Sequence, residues 1–307
     1  MQRRRSRRSF LTTATGAGVL GVTGCLEGGE SVSVLSAGSL AVVLEEAVGR
    51  RFEAETGIAV HGEYYGANAV MRMVEDGQKH PDVVVSADDV LLRDRLYDDH
   101  TDWDVEFASN SVGLAYAPDT RVDRRLEAGD PWYEVLDSLE EGALAISDPD
   151  LDPLGYRAIH AFRLAEMEHD LDSFAERTVG SAYHEPEEPQ LLAGVEAGNR
   201  AVAVSYHNMA VDHGLPFYEF PDAYNFSKPG YAESYGRVSY TTADGYTATG
   251  MPIVYNATVL ADAEEPESGV EFVRFLSENP NILRENGLRV EGFPRKHGDI
   301  PEGVSTA

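Results

Sequence analysis

Cysteine and lysine are almost absent from this sequence. Cys25 is the single cysteine among 307 residues, and only three lysines occur. A single cysteine excludes disulfides within the chain and zinc sites built from several cysteines. The chain has 25 basic residues against 53 acidic ones. This imbalance argues against nucleic acid and anionic membrane surfaces as binding partners.

The chain also lacks the short motifs of common enzymes and nucleotide-binding proteins. It contains no G-x-S-x-G, no G-x-x-x-x-G-K, no C-x-x-C and no H-E-x-x-H. Ser205 and His207 lie two residues apart, which is a poor arrangement for a nucleophile and its base. We therefore expect a protein that is not an enzyme and that carries no cofactor.

The acidic excess is typical of a solvated surface adapted to very high salt, and it resembles the proteins of halophilic archaea. At 1 M salt the screening length falls to about 3 Å. An anion can then reach a neutral or dipolar pocket in spite of the surrounding carboxylates.

The N-terminus has the pattern of an export signal. Ser6–Leu11 matches a twin-arginine motif, and an uncharged stretch too short to span a bilayer follows it. Val22–Cys25 resembles a lipobox, in which Cys25 becomes the lipidated first residue. We predict a signal over residues 1–24, a tether over 25–30, and a protein anchored to the outer face of the cell membrane.

After the predicted tether, short polar segments connect predicted strands to predicted helices. We call each of these segments a corner. Three strands are predicted, each before such a corner: Ser31–Ala37 before Ser39, Ile58–Tyr64 before Asn68, and Asp82–Val85 before Ser86. This is a doubly wound α/β pattern, in which ligands bind at the carboxyl ends of strands. Ser39 and Asn68 are each either a helix cap or a donor to an anion.

A similar corner follows the strand Ala143–Ile146. Asp152 lies where an N-cap belongs, and Pro153 fits the first turn of a helix. The N–H groups of that helix start favour an oxyanion. A further corner, Ser205-Tyr206-His207-Asn208, follows the strand Ala201–Val204, whereas Asp170–Pro189 is polar with little periodicity.

These corners belong to two lobes. The strand within Phe107–Ala117 leads to the second lobe, and Pro252–Leu260 returns to the first. We predict two doubly wound α/β lobes joined by a two-strand hinge. Residues 31–115 and 245–307 form lobe I, residues 116–244 form lobe II, and the ligand binds in the cleft between them.

Other ligand types have weaker support in the sequence. Asp148, Asp150 and Asp152 alternate, but the glycine and glutamate of a calcium-binding hand are missing. Tyr64 and Tyr65 are similar to the phenolate pairs that hold ferric iron, although a strand end explains them as well. The histidines show no spacing typical of zinc sites.

The chain resembles extracellular solute-binding proteins of ABC transporters with the type 2 periplasmic-binding fold, and among them the archaeal tungstate/molybdate-binding proteins. The resemblance extends from Ser33 to Phe293. It rests on Gly38-Ser39-Leu40, Asn110–Tyr116, Ser147–Arg157, Tyr206–His213, Glu219–Tyr235 and Gly250–Thr258, of which Asp152-Pro153-x-Gly155-Tyr156-Arg157 is the most specific.

The resemblance implies that Asp152 coordinates the metal of the oxyanion. It also implies a glutamate at position 205, where this chain has a serine. A hydroxyl donates to an oxygen but does not easily complete an octahedral metal shell. We therefore predict an oxyanion pocket formed by Ser39, Asn68, Ser205, Tyr206 and Asp152, in which Asp152 is either a metal ligand or a cap.

The predicted function is capture of molybdate or tungstate, or a similar tetrahedral oxyanion, for an ABC importer. The resemblance implies a permease and its ATPase as partners, and we expect a monomer. The same fold with ferric iron or a small organic anion is the main alternative, and a surface lipoprotein without a transport role is another.

Overall fold

The computed structural model describes residues 30–304. The predicted signal, Cys25 and the tether up to residue 29 lie outside this range. The described residues form two mixed β-sheets, each with helices packed on it. We call them lobe I and lobe II.

The strands of the described residues are short. In chain order they are β1 (Ser31–Ala37), β2 (Ala59–Tyr65), β3 (Val83–Ser86), β4 (Trp103–Ala108), β5 (Val112–Tyr116), β6 (Leu144–Ser147), β7 (Tyr183–Glu185), β8 (Val202–Tyr206), β9 (Phe217–Glu219), β10 (Ser239–Thr241), β11 (Thr247–Thr249), β12 (Tyr255–Val259) and β13 (Arg295–Gly298).

Most helices lie between strands in the chain. They are α1 (Arg50–Thr56), α2 (Ala67–Glu75), α3 (Asp89–Leu96), α4 (Arg121–Glu127), α5 (Trp132–Asp137), α6 (Pro153–His169), α7 (Phe174–Ser181), α8 (Ala193–Glu196), α9 (His207–Asp212), α10 (Ala232–Tyr235), α11 (Pro266–Glu278) and α12 (Pro280–Glu285). A π-helical stretch, Val43–Gly49, leads into α1. Short 3₁₀ turns cover Gly38–Leu40, Glu188–Gln190, Pro229–Tyr231 and Glu302–Val304.

Lobe I is built on a sheet with the strand order β13-β4-β12-β3-β1-β2. β1 runs parallel to β2 and β3, whereas β12 is antiparallel to β3 and β4. β3 begins with three valines that are all fully buried, as expected for a central strand covered on both faces. Phe52 packs edge-on against Phe272 and Phe275 of α11, which closes one face of this core.

Lobe II is built on a sheet with the order β7-β6-β8-β5-β9. β6 is parallel to β7 and β8, and β5 is antiparallel to β8 and β9. Trp132 stacks on Phe162 of α6 and contacts Phe174 and Phe220. Aromatic contacts of this kind bury large areas and fix α6, whose N-terminus forms part of the site.

The chain passes between the lobes twice, from β4 to β5 and again before β12. The two lobes and their two connections agree with the predicted architecture. The boundary predicted between residues 115 and 116 falls inside β5, and the one at 245 falls between β10 and β11. The limits of each domain stay a prediction.

The polar segment Asp170–Pro189 is more regular than its sequence indicates. It contains α7 and β7, and the 3₁₀ turn Glu188–Gln190 begins at its end. α7 is short, and β7 is a three-residue edge strand of mainly polar residues. Elements of this length have too few repeats for periodicity to reveal them.

Candidate ligand-binding site

Polar side chains from both lobes are buried where strands end. Ser39 follows β1 and Asn68 follows β2, whereas Asp152 follows β6, and each of the three is at most 2% exposed. Ser205 and Tyr206 end β8 and are fully buried. All five residues predicted to bind the ligand therefore lie out of solvent at the carboxyl ends of strands.

Several buried side chains in this region, including two that were not predicted, have no hydrogen-bond partner among residues 30–304. The atoms concerned include Ser39 Oγ, Asn68 Oδ1 and Nδ2, Ser147 Oγ, both oxygens of Asp152 and both oxygens of Glu188. A buried polar group without a partner destabilises the fold by about 1–3 kcal/mol. Such a concentration of these groups requires an explanation, and a polar ligand provides one.

None of the three predicted caps makes a side-chain cap bond. Ser39 lies inside the 3₁₀ turn that follows Ala37, and Asn68 is the second residue of α2. Asp152 occupies the N-cap position of α6 with an extended backbone, and Pro153 follows as expected. The Leu154 N–H lies close enough to lower the pKa of Asp152, but it does not meet hydrogen-bond geometry.

Glu188 brings a second acid beside Asp152. Burial raises the pKa of Asp152 to about 6, although the Ser147 hydroxyl, nearby N–H groups and Arg157 oppose the rise. Burial also raises the pKa of Glu188 well above its usual range, and the charge of Asp152 raises it further. Since like charges in a water-excluded site repel, the pair favours a state with at least one proton.

Two glycines of lobe I let the acids of lobe II approach closely. A Cβ atom on Gly38 would lie 2.9 Å from Oε2 of Glu188, and one on Gly66 would lie 2.8 Å from Cβ of Asp152. The Gly66 position would also place it 2.3 Å from the carbonyl oxygen of Leu151. Both lobes are therefore in direct contact on either side of the site.

A buried network connects the lobes behind the site. Arg157 of α6 donates to the carbonyl of Ala87 at 2.8 Å and to the Tyr206 hydroxyl at 2.6 Å. Its guanidinium also pairs with Asp88 at 2.9 Å, and Tyr156 donates to the same carboxylate at 2.6 Å. Because the Tyr206 oxygen accepts from Arg157, its own proton stays available for a ligand.

Two asparagines fix the backbone of the first corner. Asn208 donates to the carbonyl of Ser39 at 2.6 Å, and Asn110 donates to the side-chain oxygen of Asn208 at 2.7 Å. Asn110 also donates to the Tyr255 hydroxyl at 3.1 Å. Burial raises the pKa of Tyr255, and Ser39 is near enough to oppose this rise. Tyr255 thus presents a neutral O–H beside Ser39.

Ser205 has a different hydrogen bond from the one expected of a ligand donor. Its hydroxyl donates to the carbonyl oxygen of Tyr206 at 2.8 Å. The proton predicted to contact an oxyanion is thus directed to the backbone in this conformation. The role of Ser205 at the ligand stays a prediction.

A hairpin, β10 with β11, spans the two lobes at the rim of this region. Asp244 between its strands forms ion pairs with Arg95 and, at 3.5 Å, with Arg72 of lobe I. On the other side, the Tyr240 hydroxyl and the Ala243 N–H both donate to Asp150 of lobe II at 3.0 Å. The hairpin thus contacts both lobes.

Several of the residues considered for metal ions have other partners. Asp148 accepts from the Asp150 N–H at 2.9 Å, so it stabilises the turn before α6. Tyr65 donates to Glu63, whereas Tyr64 lies over Gly62. No group of three or more histidine, cysteine, aspartate or glutamate side chains suited to a metal ion occurs within residues 30–304.

Three contributors were not predicted as site residues. Ser147 ends β6, so the rule that located Ser39 could have located it as well. Tyr255 begins β12, which is the opposite end of a strand from the one that this rule indicates. Glu188 follows no regular strand-to-helix corner and is one of several acids in a polar segment. Its burial, which the sequence does not reveal, is the property that distinguishes it.

Comparison with known proteins identifies the class. The model of the bacterial extracellular solute-binding protein family matches residues 32–289, and the chain belongs to this family. Its members bind a solute rather than catalyse a reaction, which confirms the prediction of a protein that is not an enzyme. Within residues 30–304, no helix is both long and apolar enough to span a membrane.

Particular relatives cover nearly the whole chain. An uncharacterised solute-binding protein of Halobacterium salinarum is 46% identical over 97% of each chain. The molybdate/tungstate-binding protein WtpA of Pyrococcus abyssi is 31% identical over 97% of each chain. The periplasmic molybdate-binding protein of Azotobacter vinelandii superposes with a TM-score of 0.61 at 18% identity, covering 84% of this chain and 98% of that one. This likeness confirms the predicted type 2 periplasmic-binding fold.

Proposed function

We propose that this protein captures molybdate or tungstate between its lobes and delivers it to an ABC importer. The observation that carries the proposal is the set of buried, unpartnered polar atoms of Ser39, Asn68, Ser147 and Asp152. These atoms come from both lobes. The two serines and the Asn68 amide offer O–H and N–H donors to the oxygens of an anion, and Asp152 offers carboxylate oxygens to its metal. The relative named for molybdate and tungstate supports the choice of ligand.

Each donor acts on the oxyanion in a region from which water is excluded. Ser39, Asn68 and Ser147 donate to its oxygens, and Tyr206 and Tyr255 add neutral O–H groups. Hydrogen bonds to a charged group contribute about 1.5–3 kcal/mol each, which is more than bonds between neutral groups contribute. Asp152 bonds to the metal centre, because a carboxylate that only faced the oxygens of a dianion would be repelled.

The protein is attached to the cell membrane and works together with membrane proteins. The lipidated Cys25 anchors the protein to the outer face of the membrane. The protein is a monomer. The closed protein then meets a permease with its ATPase. Radiolabelling of Cys25 with a lipid precursor, compared with Cys25→Ser, tests the anchor.

A thermal-shift screen at multimolar KCl tests the ligand class. A ligand that binds only the folded protein raises the melting temperature in proportion to RT ln(1 + [L]/Kd). We expect concentration-dependent shifts with molybdate and tungstate and smaller ones with sulfate and phosphate. A shift with Fe³⁺ or an organic anion alone would favour those ligands, and no shift with any oxyanion would refute the proposal.

A further inference from the structure

Glu188 is a fully buried acid that the proposed function has not yet used. It begins the 3₁₀ turn Glu188–Gln190 of lobe II, and none of its surface is exposed. Neither carboxyl oxygen has a hydrogen-bond partner among residues 30–304. A carboxyl group in this condition is stable only as the neutral acid or when bonded to another group.

The backbone of both lobes holds this carboxyl in place. Pro189 restricts the turn on one side, and Gly38 of lobe I gives it space on the other. Burial and the charge of Asp152 raise the pKa of Glu188, and the N–H groups of Gly38 and Ser39 and the Ser39 hydroxyl lie close enough to oppose this rise in part. The Glu188 carboxyl is therefore aimed at the same corner as Ser39.

The groups around Glu188 do not neutralise it. Asp152 is acidic, and Tyr206 and Tyr255 are neutral phenols whose pKa values burial raises. Arg157 is the nearby cation, but Asp88 already pairs with it at 2.9 Å. Among the residues that the structure describes, the site therefore contains two acids with no cation dedicated to them, which is unexpected for the capture of a dianion.

The chemistry of the ligand resolves this conflict. Molybdenum and tungsten in their tetrahedral oxyanions can accept further oxygen ligands, whereas sulfur and phosphorus in sulfate and phosphate cannot. Two carboxylates can bond to such a metal centre without displacing its oxygens. Any proton that the two acids hold passes to solvent, each carboxylate donates one oxygen lone pair to the metal, and no group leaves.

We propose that Glu188 is the second carboxylate ligand of the bound metal oxyanion, together with Asp152. It takes the place that Ser205 cannot fill, because that side chain is a hydroxyl bonded to the Tyr206 carbonyl. This inference rests on the proposed function. It makes Glu188 the residue that selects tungstate and molybdate over sulfate.

Glu188→Gln tests the inference, and the neighbouring exposed acid gives the control Glu187→Gln. X-ray absorption of tungstate bound to the wild type should show six oxygens, four of its own and two from the carboxyl groups. Glu188→Gln should show five, lose about 100-fold in tungstate affinity, and keep its sulfate affinity. Glu187→Gln should match the wild type. Calorimetry in two buffers should detect protons released by the wild type and fewer by Glu188→Gln.

Three results would overturn it. Tungstate that keeps four oxygens in the wild type would exclude both acids as ligands, whatever the variants do. A Glu188→Gln protein that binds tungstate as the wild type does would leave the proposed function intact and remove Glu188 from it. A wild type that binds no oxyanion would refute the proposed function and the role of Glu188 together.

Discussion

Arg157 of lobe II and Asp88 of lobe I form an ion pair of 2.9 Å that is almost fully buried. The same guanidinium donates to Tyr206, so the contact between the lobes also orients a proposed ligand donor. Tyr156 donates to Asp88 as well. The contact that holds the lobes together therefore also positions a side chain of the proposed site.

Asp88→Asn tests how much this pair contributes. The change leaves Arg157 buried without an acidic partner, and loss of one member of a buried pair typically destabilises by about 3–5 kcal/mol. We expect a fall of that order in the free energy of unfolding, measured by denaturant titration in multimolar KCl. Asp137→Asn is the control, because the pair of Asp137 with Arg177 is about half exposed. Its loss should change stability by less than about 1 kcal/mol, and an equal effect of both variants would contradict the role of the buried pair.

Gly66→Ala should reduce ligand affinity without unfolding lobe I. The new Cβ would lie 2.3 Å from the Leu151 carbonyl oxygen, so the lobes could not close fully. We expect at least a tenfold weaker Kd for molybdate by calorimetry, and a larger radius of gyration with molybdate by small-angle scattering. Gly180→Ala is the control, since nothing lies within 4 Å of that Cβ position. Unchanged affinity in Gly66→Ala would show that closure at this point does not matter.

Ser39→Ala and Ser205→Ala should differ although both remove a buried hydroxyl. Ser39 Oγ has no partner among residues 30–304, whereas Ser205 donates to the Tyr206 carbonyl. A lost hydrogen bond to an anion corresponds to about 1.5–3 kcal/mol, or roughly a 10- to 150-fold weaker Kd. We expect this loss for Ser39→Ala and a change of less than about threefold for Ser205→Ala. Equal losses would place Ser205 in contact with the ligand, as the sequence predicted.

Asp152→Asn should stabilise the protein prepared without oxyanion while weakening its ligand binding. The pKa of Asp152 is about 6 in the folded protein and about 3.9 when unfolded. Between these values the folded state keeps a proton that the unfolded state has lost, so the free energy of unfolding falls as pH rises. The fall amounts to roughly 3 kcal/mol and is complete above about pH 6.

Melting temperatures from pH 4 to pH 8 at fixed KCl, measured without oxyanion, check this expectation. The difference between Asp152→Asn and the wild type should grow with pH and level off above about pH 6. Asp137→Asn is the control for the loss of one negative charge from the protein, since Asp137 is about half exposed. A difference that does not change with pH would show that Asp152 titrates normally, and wild-type molybdate affinity in Asp152→Asn would remove it from the site.

The sequence predicted the parts of the fold that follow regular spacing. β1 occupies the residues expected of it, and the corners at Ser39, Asn68 and Asp152 lie where alternation and helix starts indicated. It could not separate cap from ligand, because Ser, Asn and Asp suit both roles. The structure decides between the two roles, because none of the three makes a side-chain cap bond, although Asp152 occupies the N-cap position of α6.

Glu188 shows why part of the site was not predictable. Its importance depends on contact with Gly38, which lies 150 positions earlier in the chain. No local pattern encodes such a meeting, and a carboxylate between other acids is normally solvated. Tyr255 was passed over for a related reason, since burial among core strands is the usual role of a tyrosine in such a run.

The hairpin of β10 and β11 bears on how a bound solute escapes. Asp244 is tied to two arginines of one lobe while Tyr240 and Ala243 are tied to Asp150 of the other. The lobes therefore cannot separate at this point without breaking the contacts of the hairpin with one of them. Opening of the cleft in free solution should then be slower than it would be without the hairpin.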